Sequence, residues 1–400
     1  MNRTICFFTG TRAEYGLLRP LMKAIASTPG ATLKTLVTGS HLAESAGATW
    51  REIAADGLPI DERVEVLLDS GTDEGVAASI GLGVMRYAEA LKRLAPDMLV
   101  ILGDRFEAIA AAIAATVCKT PIVHIHGGEL TLGAMDDAFR HAITKMSHLH
   151  FTSTEAYRHR VIQLGEDPAR VHNVGALGVE NARTLPLLER SEVERRLNLT
   201  AGQPYFLVTF HPATLDRQVP DEQLRALLDA LETFPDRAIV FTGANADAGG
   251  AGLNRLLAEY AQKHADRYRF SMSLGATLYL SAARAADVVI GNSSSGIIEV
   301  PSFGTPTVDI GIRQQGRIRS ESVLTCAAEI EAIKGAISKA LTPAFRARAA
   351  TAANPYEQSA TTARMVETLM TWDNATALHK NFHDTLPNSL ARAPSDGVAT

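Results

Sequence analysis

Cysteine is scarce, at 3 in 400 residues, and Cys6, Cys118 and Cys326 stand far apart. That spacing excludes a disulfide framework and a cysteine-rich zinc site, and it points to a reducing, cytoplasmic setting. Long apolar runs are also absent. The longest, Ala108 to Cys118, is alanine-rich and falls short of the ~18 residues of a membrane span, while Ile5–Phe8 is shorter than the ~7 residues of a secretory core. Neither sign of charge dominates, because 39 Lys+Arg against 44 Asp+Glu leaves a formal −5. With no basic run to track a phosphate backbone, neither nucleic acid nor a membrane is expected as a partner. G-x-G-x-x-G follows the first strand of neither half and G-x-x-x-x-G-K-[ST] occurs nowhere, so the dinucleotide and Walker readings fail.

What is present is a hydrophobic content of 46% in a chain long enough for two or three cored domains. Short β-branched runs alternate with amphipathic stretches. Ile5–Thr9, Leu33–Thr38, Met98–Leu102, Ile122–Ile125, His148–Thr152 and Val171–Val174 read as strands, with helical spacing between them. A turn-rich stretch, Leu177–Gln203, reads as a linker holding one Glu/Arg-rich helix. The alternation then restarts at Tyr205–Thr209, Ala238–Thr242, Tyr268–Met272, Val288–Ile290 and Thr307–Ile310. The expected architecture is α/β: two Rossmann-like, doubly wound domains at residues 1–180 and 200–355, with the site in the cleft between them. A helix over Glu357–Trp372 is expected to pack back on the first domain, and 388–400 to form a disordered tail.

Residues able to carry chemistry follow the expected strand ends. Thr9-Gly10-Thr11-Arg12-Ala13-Glu14 turns into a helix whose first amides, with Arg12, suit an anion; an ordinary βα turn with a solvated arginine reads the same. Asp104 follows Met98–Leu102, either as a helix cap or facing the cleft. In His124-Ile-His126-Gly-Gly-Glu129 two histidines share a strand face, and two glycines admit a ligand before Glu129 returns. Metal hydrolases use that His-x-His spacing, with Asp104 and His211 as possible further ligands, but backbone-bonded histidines satisfy it too, and no metal is expected. Asp136, Asp137 and Arg140 open a helix, the first and last spaced for an ion pair. In the second half His211 ends the first strand, opposite the first domain's carboxylates. Gly291-Asn292-Ser293-Ser294-Ser295-Gly296, followed by Glu299, reads as a strand, a small-residue turn and a helix start: a diphosphate site with Glu299 placed for ribose hydroxyls. Arg313 and Arg317 add positive charge nearby.

As a collinear set from about Thr4 to Trp372, these motifs resemble the hydrolysing UDP-N-acetylglucosamine 2-epimerases of sialic-acid and related nonulosonic-acid biosynthesis. The resemblance implies a GT-B fold, a UDP-sugar as small-molecule partner and no cofactor; a homo-oligomer, dimer or tetramer, is expected. It implies conversion of UDP-N-acetylglucosamine and water into N-acetylmannosamine and UDP. A base removes the proton at the sugar's second carbon as UDP departs in an anti elimination, and water adds to the glycal. By resemblance Asp104 and Asp136 match acid/base carboxylates, and His211 a histidine near the leaving group. Arg12 and Arg140 match phosphate or sugar contacts, with Asp137 beside them. Ser293, Ser294, Ser295, Gly296 and Glu299 match the diphosphate and ribose site, with Arg313 nearby. Several relatives carry a glutamate two residues after the motif histidine, where this chain has His126, so His126 or Glu129 is the expected base. Three other readings are the same chemistry on a UDP-2,4-diacetamido-2,4,6-trideoxy sugar, a GT-B glycosyltransferase, and a catalytically silent nucleotide-sugar binder. The presence of Asp104, Glu129, Asp136 and His211 argues against the last.

Overall fold

A computed structural model of the chain describes residues 2–68, 72–132, 134–212, 220–244, 250–373 and 378–385. The tail expected at 388–400 lies outside the described residues. Seven parallel strands form the first sheet: β1 (Arg3–Thr9), β2 (Ala31–Thr38), β3 (Glu62–Val64), β4 (Met98–Leu102), β5 (Ile122–Ile125), β6 (Leu149–Thr152) and β7 (Val171–Asn173), in the order β3-β2-β1-β4-β5-β6-β7. Six form the second: β8 (Tyr205–Thr209), β9 (Ala238–Thr242), β10 (Tyr268–Ser271), β11 (Val288–Gly291), β12 (Thr307–Ile310) and β13 (Val323–Cys326), in the order β10-β9-β8-β11-β12-β13. Among the described residues no helix is long and apolar enough to cross a membrane.

The central strands are buried on both faces, which is why they read as uninterrupted apolar runs. Alternate residues go to opposite cores. Ile5, Phe7, Met98 and Val100 pack with Leu18, Leu21 and Met22 of the helix Arg12–Ala26. Cys6, Phe8, Leu99 and Ile101 pack with Tyr87, Leu91 and the alanines of the helix Phe106–Val117. The edge strands β3 and β13 escaped the sequence reading because they are short and largely uncovered, with no apolar run to mark them.

The stretch read as a linker is mostly structured. The helix Leu177–Thr184 places Leu177 in the first domain's core, and the helix Arg190–Arg196 places Val193 beside Leu197, Leu199, Tyr205 and Leu207 in the second. Few apolar positions per turn made these helices look unpacked. On these cores we propose a first domain of residues 1–184 joined by 356–372, and a second of 188–355. The last helix begins at Thr361 rather than Glu357, and its Met365 and Leu369 join the first domain's core. Arg3 donates to the carbonyls of Leu369 and Trp372, which fastens that helix to β1.

A further apolar cluster forms the seam between domains, with Tyr157, Ala176, Val179 and Tyr356 of the first against Ile297 and Ile298 of the second. The two tyrosine hydroxyls lie 3.0 Å apart; Tyr157 Oη accepts the Ile318 N–H at 3.0 Å and Tyr356 Oη donates to the Ile318 carbonyl at 2.9 Å. In each sheet the strand order reverses, between β1 and β4 and between β8 and β11. Ligands of open α/β sheets bind beyond the C-terminal strand ends at that reversal.

Candidate active site

On the first domain the chain leaves β4 through Gly103 and presents Asp104. Arg140, in the helix Asp136–Met146, donates to Asp104 Oδ2, to Thr131 Oγ1 at 2.8 Å and to the Glu129 carbonyl at 3.0 Å. Its Nη1 also lies 3.5 Å from Asp137 Oδ1, which accepts the Thr131 N–H at 2.6 Å. Instead of a surface ion pair along its helix, Arg140 is a buried fork joining the loops after β4 and β5. Asp136 is half-buried at the first position of the same helix.

His124 and His126 do not share a face. The strand β5 ends at Ile125, and His126 turns away in the left-handed region at φ 67°. His124 is fully buried, its Nε2 2.8 Å from the Gly103 carbonyl and its Nδ1 3.0 Å from Thr144 Oγ1. Burial pushes it down to about 3, so the ring is neutral, with Nε2–H donating to Gly103 and Nδ1 accepting from Thr144. With one nitrogen holding Gly103, just before Asp104, and the other bonded to the helix Asp136–Met146, His124 does not fit the metal reading.

His126 is 7% exposed, and its N–H donates to the Phe151 carbonyl at 2.8 Å. Its Nδ1 stands 3.7 Å from Glu129 Oε1, and its buried Nε2 has no hydrogen-bond partner among the described residues. Burial lowers its proton affinity; Glu129 opposes that shift and Arg317 adds to it. Holding a residue other than glycine in this conformation costs about 1–3 kcal/mol, a strain that concentrates at functional sites. Glu129 is engaged at both oxygens: Oε1 accepts from Ser153 Oγ at 2.7 Å, and Oε2 lies 2.8 Å from Arg317 Nη1 of the second domain.

The turn after β1 does not offer open amides to an anion. Thr11 and Glu14 form a capping box in which Glu14 Oε2 accepts the N–H groups of Gly10 at 2.8 Å and Thr11 at 3.3 Å. The chain's own carboxylate thus occupies the place expected for a ligand. Arg12 pairs with Glu52 at 2.8 Å, and its guanidinium reaches Gly275 of the second domain.

On the second domain Asn292, 1% exposed, clamps His211: its Oδ1 accepts the His211 N–H at 2.7 Å and its Nδ2 donates to the His211 carbonyl at 2.8 Å. The Asn292 carbonyl in turn accepts from Arg313 Nη1 at 3.1 Å and Gln314 Nε2 at 2.9 Å. His211, the serine turn and the segment after β12 are therefore one bonded unit. The helix following Ser293 and Ser294 is a single turn, Ser295–Ile298, so its dipole adds little and the phosphate reading falls to the three hydroxyls and Arg313. Burial raises the Glu299 carboxyl above its ordinary range, and its Oε2 has no hydrogen-bond partner among the described residues. Glu299 Oε1 packs on Gly178 of the first domain so closely that a Cβ there would overlap it.

The structure therefore brings together Asp104, Glu129, Asp137 and Arg140 around one buried guanidinium, with His126 beside Glu129, and His211, Arg313 and the serine turn around Asn292. Arg12 pairs outside both groups. Sequence reasoning left Asn292 without a role and noted Arg317 only as nearby charge; the one signal for either was its place after a strand end.

A family model described as UDP-N-acetylglucosamine 2-epimerase matches residues 23–370. The chain belongs to the UDP-N-acetylglucosamine 2-epimerase family. It is 37% identical, over 96% of its length and 99% of the relative's, to the GDP/UDP-N,N'-diacetylbacillosamine 2-epimerase (hydrolyzing) of Campylobacter jejuni. It is 38% identical to the polysialic acid biosynthesis protein P7 of Escherichia coli, over 88% of this chain and 90% of that one. Among solved structures, UDP-GlcNAc 2-epimerase from Neisseria meningitidis bound to UDP-GlcNAc superposes with a TM-score of 0.76 at 15% identity, covering 92% of this chain and 99% of that chain. The fold is thus that of this epimerase family, two Rossmann-like domains in the GT-B arrangement.

Proposed function

We propose that the chain is a hydrolysing 2-epimerase of a UDP-linked 2-acetamido sugar, turning UDP-N-acetylglucosamine into N-acetylmannosamine and UDP, with His126 as the base. One observation carries the reading: a buried imidazole, kept neutral by burial, has one nitrogen unpartnered among the described residues and the other facing a carboxylate. Neutral His126 accepts the proton from the sugar's second carbon through Nε2. The imidazolium that forms lies against Glu129, whose charge is worth more at this low-dielectric site than in water. Because Glu129 is bonded to Ser153 and paired with Arg317, it serves as the fixed anion rather than the base. Asp136 is the proposed acid for the hydration step, and Asp104, locked by Arg140, orients the sugar. His211, Arg313 and the serine hydroxyls receive the departing diphosphate, and Glu299 the ribose.

The Campylobacter match, end to end on both chains, favours a second reading on the same machinery: a UDP-2,4-diacetamido-2,4,6-trideoxy sugar as substrate. Proton NMR in deuterated water, with chelator and no acceptor, tests both. Release of UDP with a free 2-epimeric sugar bearing deuterium at its second carbon is expected from one of the two substrates, and which one identifies the sugar. Turnover of neither, or turnover only with an acceptor, overturns the proposal. A cytoplasmic homodimer or tetramer is proposed with it, to be read by light scattering and fractionation.

A further inference from the structure

The segment 311–319, between β12 and β13, is fixed to the second domain at both ends. Gly311 donates its N–H to the Cys326 carbonyl at 2.9 Å, Arg313 and Gln314 hold the Asn292 carbonyl, and Arg319 pairs with Asp309 Oδ2 at 2.8 Å and donates to the Gln314 carbonyl at 2.9 Å. Its middle is inserted against the first domain. The Leu132 N–H donates to the Gln315 carbonyl at 3.2 Å, and Ile318 bonds both seam tyrosines. Gly316, at φ 89°, packs so tightly that a Cβ would come within 2.9 Å of Leu130 Cβ. Between these anchors Arg317, its side chain 8% exposed, meets Glu129.

We propose that this arm is a positioning element of the first domain's base: Arg317, reaching across the seam, fixes Glu129 and thereby sets the net charge that His126 faces. The geometry is that of an ion pair. Arg317 Nη1 lies 2.8 Å from Glu129 Oε2 but off the direction of its N–H bonds, and neither Nη1 nor Nε has a hydrogen-bond acceptor among the described residues. A buried guanidinium so poorly bonded is costly unless its charge is used, and Glu129 is the carboxylate that uses it. Among the described residues, the charged and titratable groups around His126 are Glu129 from its own loop, Arg317 from the second domain and His124 from β5. Glu299 and the hydroxyls of Tyr157 and Tyr356 face the Arg317–Glu129 pair. Glu129 favours the imidazolium and Arg317 disfavours it. Removing the guanidinium therefore leaves the carboxylate uncompensated, and the titration of His126 moves up.

The inference rests on the reading of His126 as the base, and its test has one arm that needs no turnover. In the full chain, histidine-selective NMR follows the His126 ring through a pH titration in wild type, Arg317→Met, Arg317→Lys and Glu129→Gln. Arg317→Met is expected to raise the midpoint by roughly half a unit or more, Arg317→Lys to restore most of it, and Glu129→Gln to move it down. In kinetics the acid limb of kcat/KM moves with the midpoint in Arg317→Met, kcat near neutrality falls about tenfold, and KM stays within about threefold. An unmoved His126 midpoint in folded Arg317→Met overturns the proposal, as does equal loss in the Met and Lys variants with no change of pH profile. Should Arg317→Met fail to fold, Glu129→Gln and Arg317→Lys decide the sign. If wild type turns over neither sugar, the functional reading fails while the titration still decides this one.

Discussion

Gly178→Ala sets two structural effects against each other. Gly178 is the second residue of the helix Leu177–Thr184, where alanine is intrinsically favoured over glycine by up to about 1 kcal/mol. The added Cβ, however, overlaps Glu299 Oε1, a carboxyl only 8% exposed. Glu299 must swing away, and overpacking a filled, buried site costs about 1–3 kcal/mol. The melting point of the variant should therefore drop only slightly, since the helix gain offsets part of the loss. Nucleotide binding should suffer more. If Glu299 receives the ribose, its displacement removes charged hydrogen bonds worth about 1.5–3 kcal/mol, a roughly ten- to hundredfold loss of UDP affinity. Calorimetric titration of UDP into wild type, Gly178→Ala, Glu299→Ala and the double variant measures this directly. The double variant should bind no worse than Glu299→Ala alone. Wild-type affinity in Gly178→Ala, or losses that add in the double variant, would refute the assignment of Glu299 to the ribose.

Three more outcomes follow from the site. His126→Asn should lower kcat by about 10²–10⁴-fold while UDP affinity stays near wild type, and retention of more than a tenth of turnover would remove His126 as base. Asn292→Ala strips partners from both the N–H and the carbonyl of His211, a loss of about 2–4 kcal/mol, visible as a melting point lowered by roughly 5–15 °C; an unchanged melt contradicts the clamp. Burial first and Glu107 second raise Glu14 from 4.5 to about 7, so the folded chain holds a proton that the unfolded chain has released, and stability falls as pH rises from about 4.5 to about 7. In Glu14→Gln the amide oxygen can keep both cap bonds, so the decline should flatten and the variant should exceed wild type by about 1–3 kcal/mol at pH 8; parallel urea-stability curves from pH 5 to 8 would exclude it.

The buried strands were legible because both faces must be apolar: Met98–Leu102 and Tyr205–Thr209 appear in the structure with the bounds read from sequence. The edge strands Glu62–Val64 and Val323–Cys326 carry no such pattern, since solvent reaches one side of each. Strand-end position also singled out Asp104, Glu129 and His211 as candidates, because connectivity alone puts such residues beyond the sheet's C-terminal edge. Conformation and partner choice were not legible. A left-handed residue such as His126 leaves no periodic trace, so the His-x-His pair read as one strand face. The Thr11–Glu14 cap competes with a ligand for the same amides, and only three-dimensional geometry shows which acceptor holds them. Arg317 and Glu129 are far apart in the chain, and neither neighbourhood names the other.

The return of the last helix to the first domain means that the chain crosses between domains twice, near residues 185–188 and again over 354–360. The returning segment is fastened beside the helix Leu177–Thr184, where the Ala176 N–H donates to the Tyr356 carbonyl at 3.0 Å and Arg183 pairs with Glu357 at 2.9 Å. Two covalent crossings tether the second domain at both of its ends, so it cannot rotate freely as a bead on a single thread would. The Arg317–Glu129 contact sits next to one of these tethers, because Ile318, the residue after Arg317, accepts from the Tyr356 hydroxyl at 2.9 Å. The chain's own return path thus helps to keep the two charges in register.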